Sequence, residues 1–358
     1  MSDTMLVGTR KGLFILRHRG AWELAPPDFL GHPVTMVLAT GARWYAGLEH
    51  GHYGPKLHVS TDQGETWTEI ATPAFPPAPD VEGAPAVRTI WSLEEGSSEG
   101  HLWCGTIPGG LFHSTDHGAS WRLVESLWNR PERARWFGGG ADQPGIHSIC
   151  VDCRDRRKVL IGVSCGGVWA TEDDGETWEL RGKGLIARFM PPDQQGDPEI
   201  QDPHLITCCA ANPDVVWCQH HNGIFRSVDA ARTFVELQAQ PSTFGFAVAA
   251  HPREPETAWL VPAASDDLRV PVDGAMVVNR TRDGGVTWEP QRAGLPQKDA
   301  YDLVFRHALA VDAAGRRLAF GSTTGSLWTT EDGGSSWTTV STHLPPVYVL
   351  RFARADSC

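Results

Sequence analysis

The chain has 358 residues with 31 Lys and Arg against 43 Asp and Glu, a net charge of −12, and no concentrated basic run of the kind a nucleic-acid backbone requires. Its length supplies enough apolar side chains for a sizeable core, and no stretch of about 18 apolar residues is present to cross a membrane. The N-terminal dozen residues lack a basic segment followed by an apolar one, so the expectation is a cytoplasmic protein that does not engage membranes. The eight cysteines fall mostly in apolar, strand-like runs and are expected as reduced thiols.

Taken in chain order, the first predicted unit is strand, turn, strand over residues 6–16, closing at Trp22. An octapeptide then recurs: STDQGETW at 60–67, STDHGASW at 114–121, TEDDGETW at 171–178, TRDGGVTW at 281–288 and TEDGGSSW at 330–337. SVDAARTF at 227–234 is a degenerate copy. The aspartates lie 49 to 57 residues apart, the length of a four-stranded sheet with its turns. In each copy the carboxylate suits a hairpin turn, glycine supplies positive φ, and the terminal Trp packs between strands. Seven units therefore end at Trp22, Trp67, Trp121, Trp178, Phe234, Trp288 and Trp337. Six of the 15 tryptophans close units in this way.

Each unit begins with an innermost strand, such as 147–152 or 309–312, but nothing before Leu6 leaves room for one. Residues 347–352 supply it. The expected fold is all-β: one seven-bladed β-propeller across 1–358, closed by the C-terminal strand pairing into the N-terminal blade, which removes open sheet edges. A six-bladed ring with extra strands is the alternative.

The repeated octapeptide resembles the Asp-box, or bacterial neuraminidase repeat, of sialidase-like β-propellers. It is similar also to the repeats of two-propeller xyloglucan hydrolases and of seven-bladed photosystem assembly factors, which act as scaffolds. The resemblance implies a rigid propeller with its function at one mouth. It does not extend to sialidase catalysis: TRKG at 9–12 stands where an N-terminal Arg-Ile-Pro motif belongs, RFMP at 188–191 is not that motif, and no arginine triad maps onto the chain.

The turns divide between two faces. The face carrying the octapeptide turns has short, ordinary connections. The opposite face collects long connections and about half of the histidines, among them His32, His50, His52, His147, His204, His220, His221 and His343. That mouth is expected to hold the site. One reading is a divalent metal centre, zinc or similar, on His147, His204 and His221, with Asp302 as a further catalytic group; separate hydrogen-bonded histidines are the alternative. Asp202, Asp302 and Glu49 are the mouth acids that would serve glycoside cleavage. Lys11, His50, Cys165, Arg188, Arg269, Tyr301 and Trp136 are the expected substrate contacts, and Lys11, Arg188, Arg269 and Arg306 suit an anionic group. Cys150 and Cys153 form a CxxC by letters, but residues three apart in a strand point to opposite faces. Two functions follow: an intracellular hydrolase or lyase acting on a small polar, sugar-like or carboxylated substrate, or a non-catalytic protein- or metabolite-binding platform with Trp128 and Trp136 as exposed anchors.

Overall fold

The alternating strands and polar turns close into a ring in the computed structural model, which describes residues 1–77 and 83–354. Among these residues 28 strands form seven four-stranded antiparallel sheets. The innermost strands of blades 1 to 7 are Val347–Phe352, Val34–Thr40, Thr89–Glu95, Ile146–Val151, Pro203–Cys209, Gly245–Ala250 and Leu309–Val311. The fold is a seven-bladed propeller, and the six-bladed alternative does not occur.

Blade 1 joins the two ends of the chain. Strand Val347–Phe352 pairs with Thr4–Thr9, placing Met5 opposite Phe352 and Val7 opposite Leu350. The approach is close enough to dictate sequence: a Cβ on Gly8 would stand 2.5 Å from Val349 Cγ1 and 2.9 Å from the Val34 carbonyl oxygen.

Every octapeptide builds the same turn. Thr66 donates its backbone N–H to Asp62 Oδ1 at 2.9 Å and its hydroxyl to Oδ2 at 2.6 Å, while Ser60 Oγ accepts from Gly64 N–H at 2.8 Å. The Thr66 hydroxyl and N–H, with the Ser60 hydroxyl, hold the Asp62 carboxyl down at about 2. The degenerate copy keeps the pattern, with Thr233 donating to Asp229 and Ala231 N–H to Ser227 Oγ at 3.0 Å. Ala230 and Ala231 there adopt φ of 56° and 63°, a conformation that glycine adopts at lower cost.

The turn glycines also set the spacing between blades. A Cβ on Gly64, Gly118, Gly175, Gly285 or Gly334 would meet a side chain of the preceding blade: Ile15, Ile70, Trp103, Leu237 and Trp259 respectively, at 2.3 to 3.2 Å. Trp103, Trp217 and Trp259 sit at matching places in the second strands of their blades and are essentially fully buried. In blade 4 that place holds Leu160, and Ala231 of blade 5 packs in the same apolar cluster. The smaller side chain makes room for the methyl group.

Cys104, Cys150, Cys165, Cys208, Cys209 and Cys218 are free thiols, whereas Cys153 is disulfide-bonded, which corrects the expectation of reduced thiols throughout. Cys358 lies outside the described residues. No helix among them is long and apolar enough to cross a membrane.

Candidate functional site

Strict strand alternation breaks at one recurring place. Near its start, each innermost strand of blades 2 to 6 carries an extra residue that slips the register: Thr35, Trp91, His147, His204 and Phe246. Such a bulge bends the strand and re-aims a side chain. The consequence is contact between residues far apart in sequence. The Trp91 and His147 rings meet edge to face at 5.5 Å, and His204 stacks on Phe246 at 4.5 Å.

Asp202, His204 and His221 converge beside this ring of bulges, each offering one ligand atom, with all three atoms within 4.8 Å of one another. Asp202 is pinned through its backbone: its N–H faces His220 Nε2 at 3.1 Å and its carbonyl accepts from His221 N–H at 3.0 Å. Asp202 Oδ1 takes the Cys165 N–H at 3.2 Å, while Oδ2 lies 3.6 Å from His204 Nε2 and 3.5 Å from His221 Nδ1. On the far side, His221 Nε2 is 3.7 Å from Asp266 Oδ2, and Asp266 is tied to Arg269.

The protonation states follow from these contacts. His204 Nδ1 lies 2.7 Å from the Gly245 carbonyl, which can only accept, so Nδ1 carries the proton and Nε2 a lone pair. Burial lowers the His204 pKa, more than the Asp202 carboxylate raises it, and the ring is neutral. Burial pushes the Asp202 carboxyl up, but the contact with His221 and the charge of Arg306 hold it well below the usual range. A carboxylate and a bare imidazole nitrogen thus face each other without a proton between them. Their separation is too long for a hydrogen bond. It approaches the spacing of about 3.3 Å between two ligands of one tetrahedral zinc ion.

The other expected site residues are placed as follows. His147 is buried, with Nδ1 2.7 Å from Ser148 Oγ and Nε2 without a partner, and its ring nitrogens are not among the convergent atoms. The bulge turns it towards Trp91 instead. Asp302 is a turn cap, accepting from Ser322 at 2.6 Å and from Thr324. Cys165 lies against Asp202, and burial followed by that charge pushes its thiol far up, which removes it as a nucleophile at neutral pH. Arg188 is exposed and paired with Glu236 at 2.6 Å. Arg269 leans over the Phe246 ring at 5.4 Å. His50 stacks on His32 at 3.9 Å; Lys11 and Tyr301 are exposed. Trp136 is 7% exposed and packs on Trp169, and Trp128 is covered by Arg133 and Phe75, so neither is an open anchor.

Sequence reasoning did not assign Asp266, Trp91, Phe244 or Phe246 to the site. Trp91, Phe244 and Phe246 showed only as aromatic residues at the starts of inner strands, indistinguishable from core without the bulges, and Asp266 only as one acid of the connection between Pro262 and Val278.

A cavity of about 920 Å³ runs along the axis from the octapeptide face and reaches His147, Arg306 and His307. That face is therefore less plain than its turns suggest. The axial channel and the Asp202 cluster approach each other around Arg306.

With the ring and the repeated turns in view, the comparisons with known proteins fit. The BNR/Asp-box repeat model matches residues 58–69. The chain thus carries an Asp-box repeat on a seven-bladed β-propeller. Over 79 residues it is 35% identical to an oligoxyloglucan-reducing end-specific xyloglucanase of Emericella nidulans, an alignment spanning 22% of this chain and 9% of that protein. The structure of an ancestral GH74 enzyme superposes over 86% of this chain and 38% of its own, with a TM-score of 0.58 and 14% identity. YCF48 from Cyanidioschyzon merolae superposes over 92% of this chain and 96% of its own, with a TM-score of 0.56 and 15% identity. At such identities the likeness shows a shared propeller fold.

Proposed function

We propose that this propeller is a metal-assisted enzyme, a hydrolase or lyase acting on a small polar, sugar-like or carboxylated substrate at the mouth opposite the octapeptide turns. The observation that carries the proposal is the Asp202, His204 and His221 cluster, with the His204 tautomer fixed by Gly245 so that Nε2 is free to coordinate. A bound divalent ion would polarise a substrate oxygen or lower the pKa of a water. Three protein ligands leave a position open for that oxygen. The carboxylate and neutral imidazole are already in the states coordination needs. The partial likeness to a xyloglucanase supports a hydrolytic reading of the fold.

The test is calorimetric titration of Zn²⁺ and Mn²⁺ into metal-free protein, followed by a panel of nitrophenyl glycosides and esters with and without metal. One equivalent of tightly bound metal and metal-dependent turnover support the proposal. No binding, or turnover indifferent to metal, removes the metal from the mechanism.

A second reading, a peptide-binding platform, has its own observation. Leu30, Tyr53, Phe137, Phe189, Leu268 and Tyr301 are exposed and all lie on connections of the mouth face. The structure of YCF48 bound to D1 peptide shares the fold, with a TM-score of 0.53. Partner capture that survives His204→Ala but fails on Phe189→Ala and Tyr301→Ala would favour this second function.

A further inference from the structure

Arg306, half-buried at the channel wall, stands apart from the buried arginines of the chain. Arg181 is paired with Glu172 and Glu179, Arg280 with Glu289, and Arg317 with Asp3 and Glu331. Among the described residues Arg306 makes no ion pair or hydrogen bond, and its Nε is sealed from solvent without a partner. Its guanidinium lies 5.0 Å from the Trp91 ring centre and 5.3 Å from that of Phe246. Burial draws its pKa down to about 10, so the charge persists at neutral pH. The adjacent acid, Asp202, takes the Cys165 N–H on one oxygen and turns the other to His204 and His221, and it makes no ion pair with Arg306. A half-buried charge with no ion-pair partner is held at a cost, and a fold that needed only volume would place an apolar side chain there.

The surroundings show what would compensate it. Arg306 and His147 both line the axial channel, and His147 Nε2 is a second polar atom there with no partner. The aromatic rings lie against the guanidinium, leaving its N–H edge for a ligand, and that edge matches the two oxygens of a carboxylate. One guanidinium balances one negative charge. The nearby Asp202 carboxylate opposes a second, which disfavours a phosphate dianion.

We infer that Arg306 is the anion-binding residue of the axial channel and takes the carboxylate of a small organic acid, with His147 beside it. The inference deepens the proposed function by naming the charged group of its ligand, but it does not need the metal.

The experiment follows the thermal unfolding of the full chain, freed of metal on a chelating resin, in sodium acetate, sodium phosphate and sodium chloride at matched ionic strength. Acetate is expected to raise the melting temperature saturably above chloride, and phosphate is not. Arg306→Met keeps the volume and removes the charge, so it is expected to melt higher than the wild type without ligand and to bind acetate at least tenfold more weakly. Retention of the acetate effect in Arg306→Met, no effect in the wild type, or a lower melting temperature for Arg306→Met would each overturn the inference. A phosphate effect equal to that of acetate would overturn the carboxylate assignment. Failure of metal binding with a retained acetate effect would remove the metal reading and leave this one standing.

Discussion

His204 Nε2 and Asp202 Oδ2 lie 3.6 Å apart with no proton to share, because the Nδ1 proton of His204 is committed to the Gly245 carbonyl. That pairing is repulsive as it stands and attractive around a cation. Asp202→Asn or His204→Ala is therefore expected to weaken Zn²⁺ binding by about 100-fold or more, at or beyond the upper end of what loss of an outer partner costs. His147→Ala is expected to leave zinc affinity within a few-fold of wild type. Calorimetric titration of the three variants checks this, and equal losses in all three would place His147 among the ligands.

A second prediction concerns the exchange of volume between blades 4 and 5. Leu160 occupies the place of Trp103, Trp217 and Trp259, and Ala231 stands where other turns have glycine. Leu160→Trp should overpack against the Ala231 methyl and destabilise by about 1–3 kcal/mol. Adding Ala231→Gly should recover much of that loss, although Ala231→Gly alone vacates a buried methyl. Urea unfolding of the two single variants and the double variant gives the coupling directly, and additive effects would refute the compensation.

The pH dependence of stability can be given a sign. Burial holds His220 and His307 down at about 3, and also lowers His147 and His204. In the unfolded chain these rings titrate near 6.5. Below that pH the unfolded state takes up protons that the native state refuses, so stability falls as the pH drops from about 6.5 towards 3. The turn carboxylates add a separate loss at lower pH, because Asp62, Asp116 and Asp283 are held at about 2. Urea midpoints of metal-free protein between pH 8 and 4 should decline most steeply below 6.5. A flat profile there would contradict neutral burial of these histidines.

Closure of the ring yields a prediction about truncation. Removing 347–358 strips blade 1 of its innermost strand and leaves Thr4–Thr9 with an unpaired edge beside blade 2. The truncated chain is expected to lose its sharp thermal transition and to self-associate, as read by scanning calorimetry and size-exclusion chromatography. A monomer melting within a few degrees of the full chain would show that closure contributes little.

The sequence by itself determined the architecture. Six copies of one turn at near-constant spacing count blades, because each copy contains its own hydrogen-bond partners: Ser60, Asp62, Gly64 and Thr66 need nothing beyond their own loop. The missing inner strand before Leu6 likewise pointed to Val347–Phe352, since a strand and its absence are both local features. The site was legible only as a face. His204 and His221 were singled out, but their companion Asp202 was read as a general mouth acid, and Arg306 as one of several anion holders.

Tertiary structure decided the rest, for a physical reason. The bulges at Trp91, His147, His204 and Phe246 are register slips between strands, and a one-residue slip reverses which way a side chain points without changing the alternation visible in the sequence. Which histidine meets Asp202, and which arginine is left in the channel without a counter-charge, depends on where seven separate strands converge. No single segment carries that information.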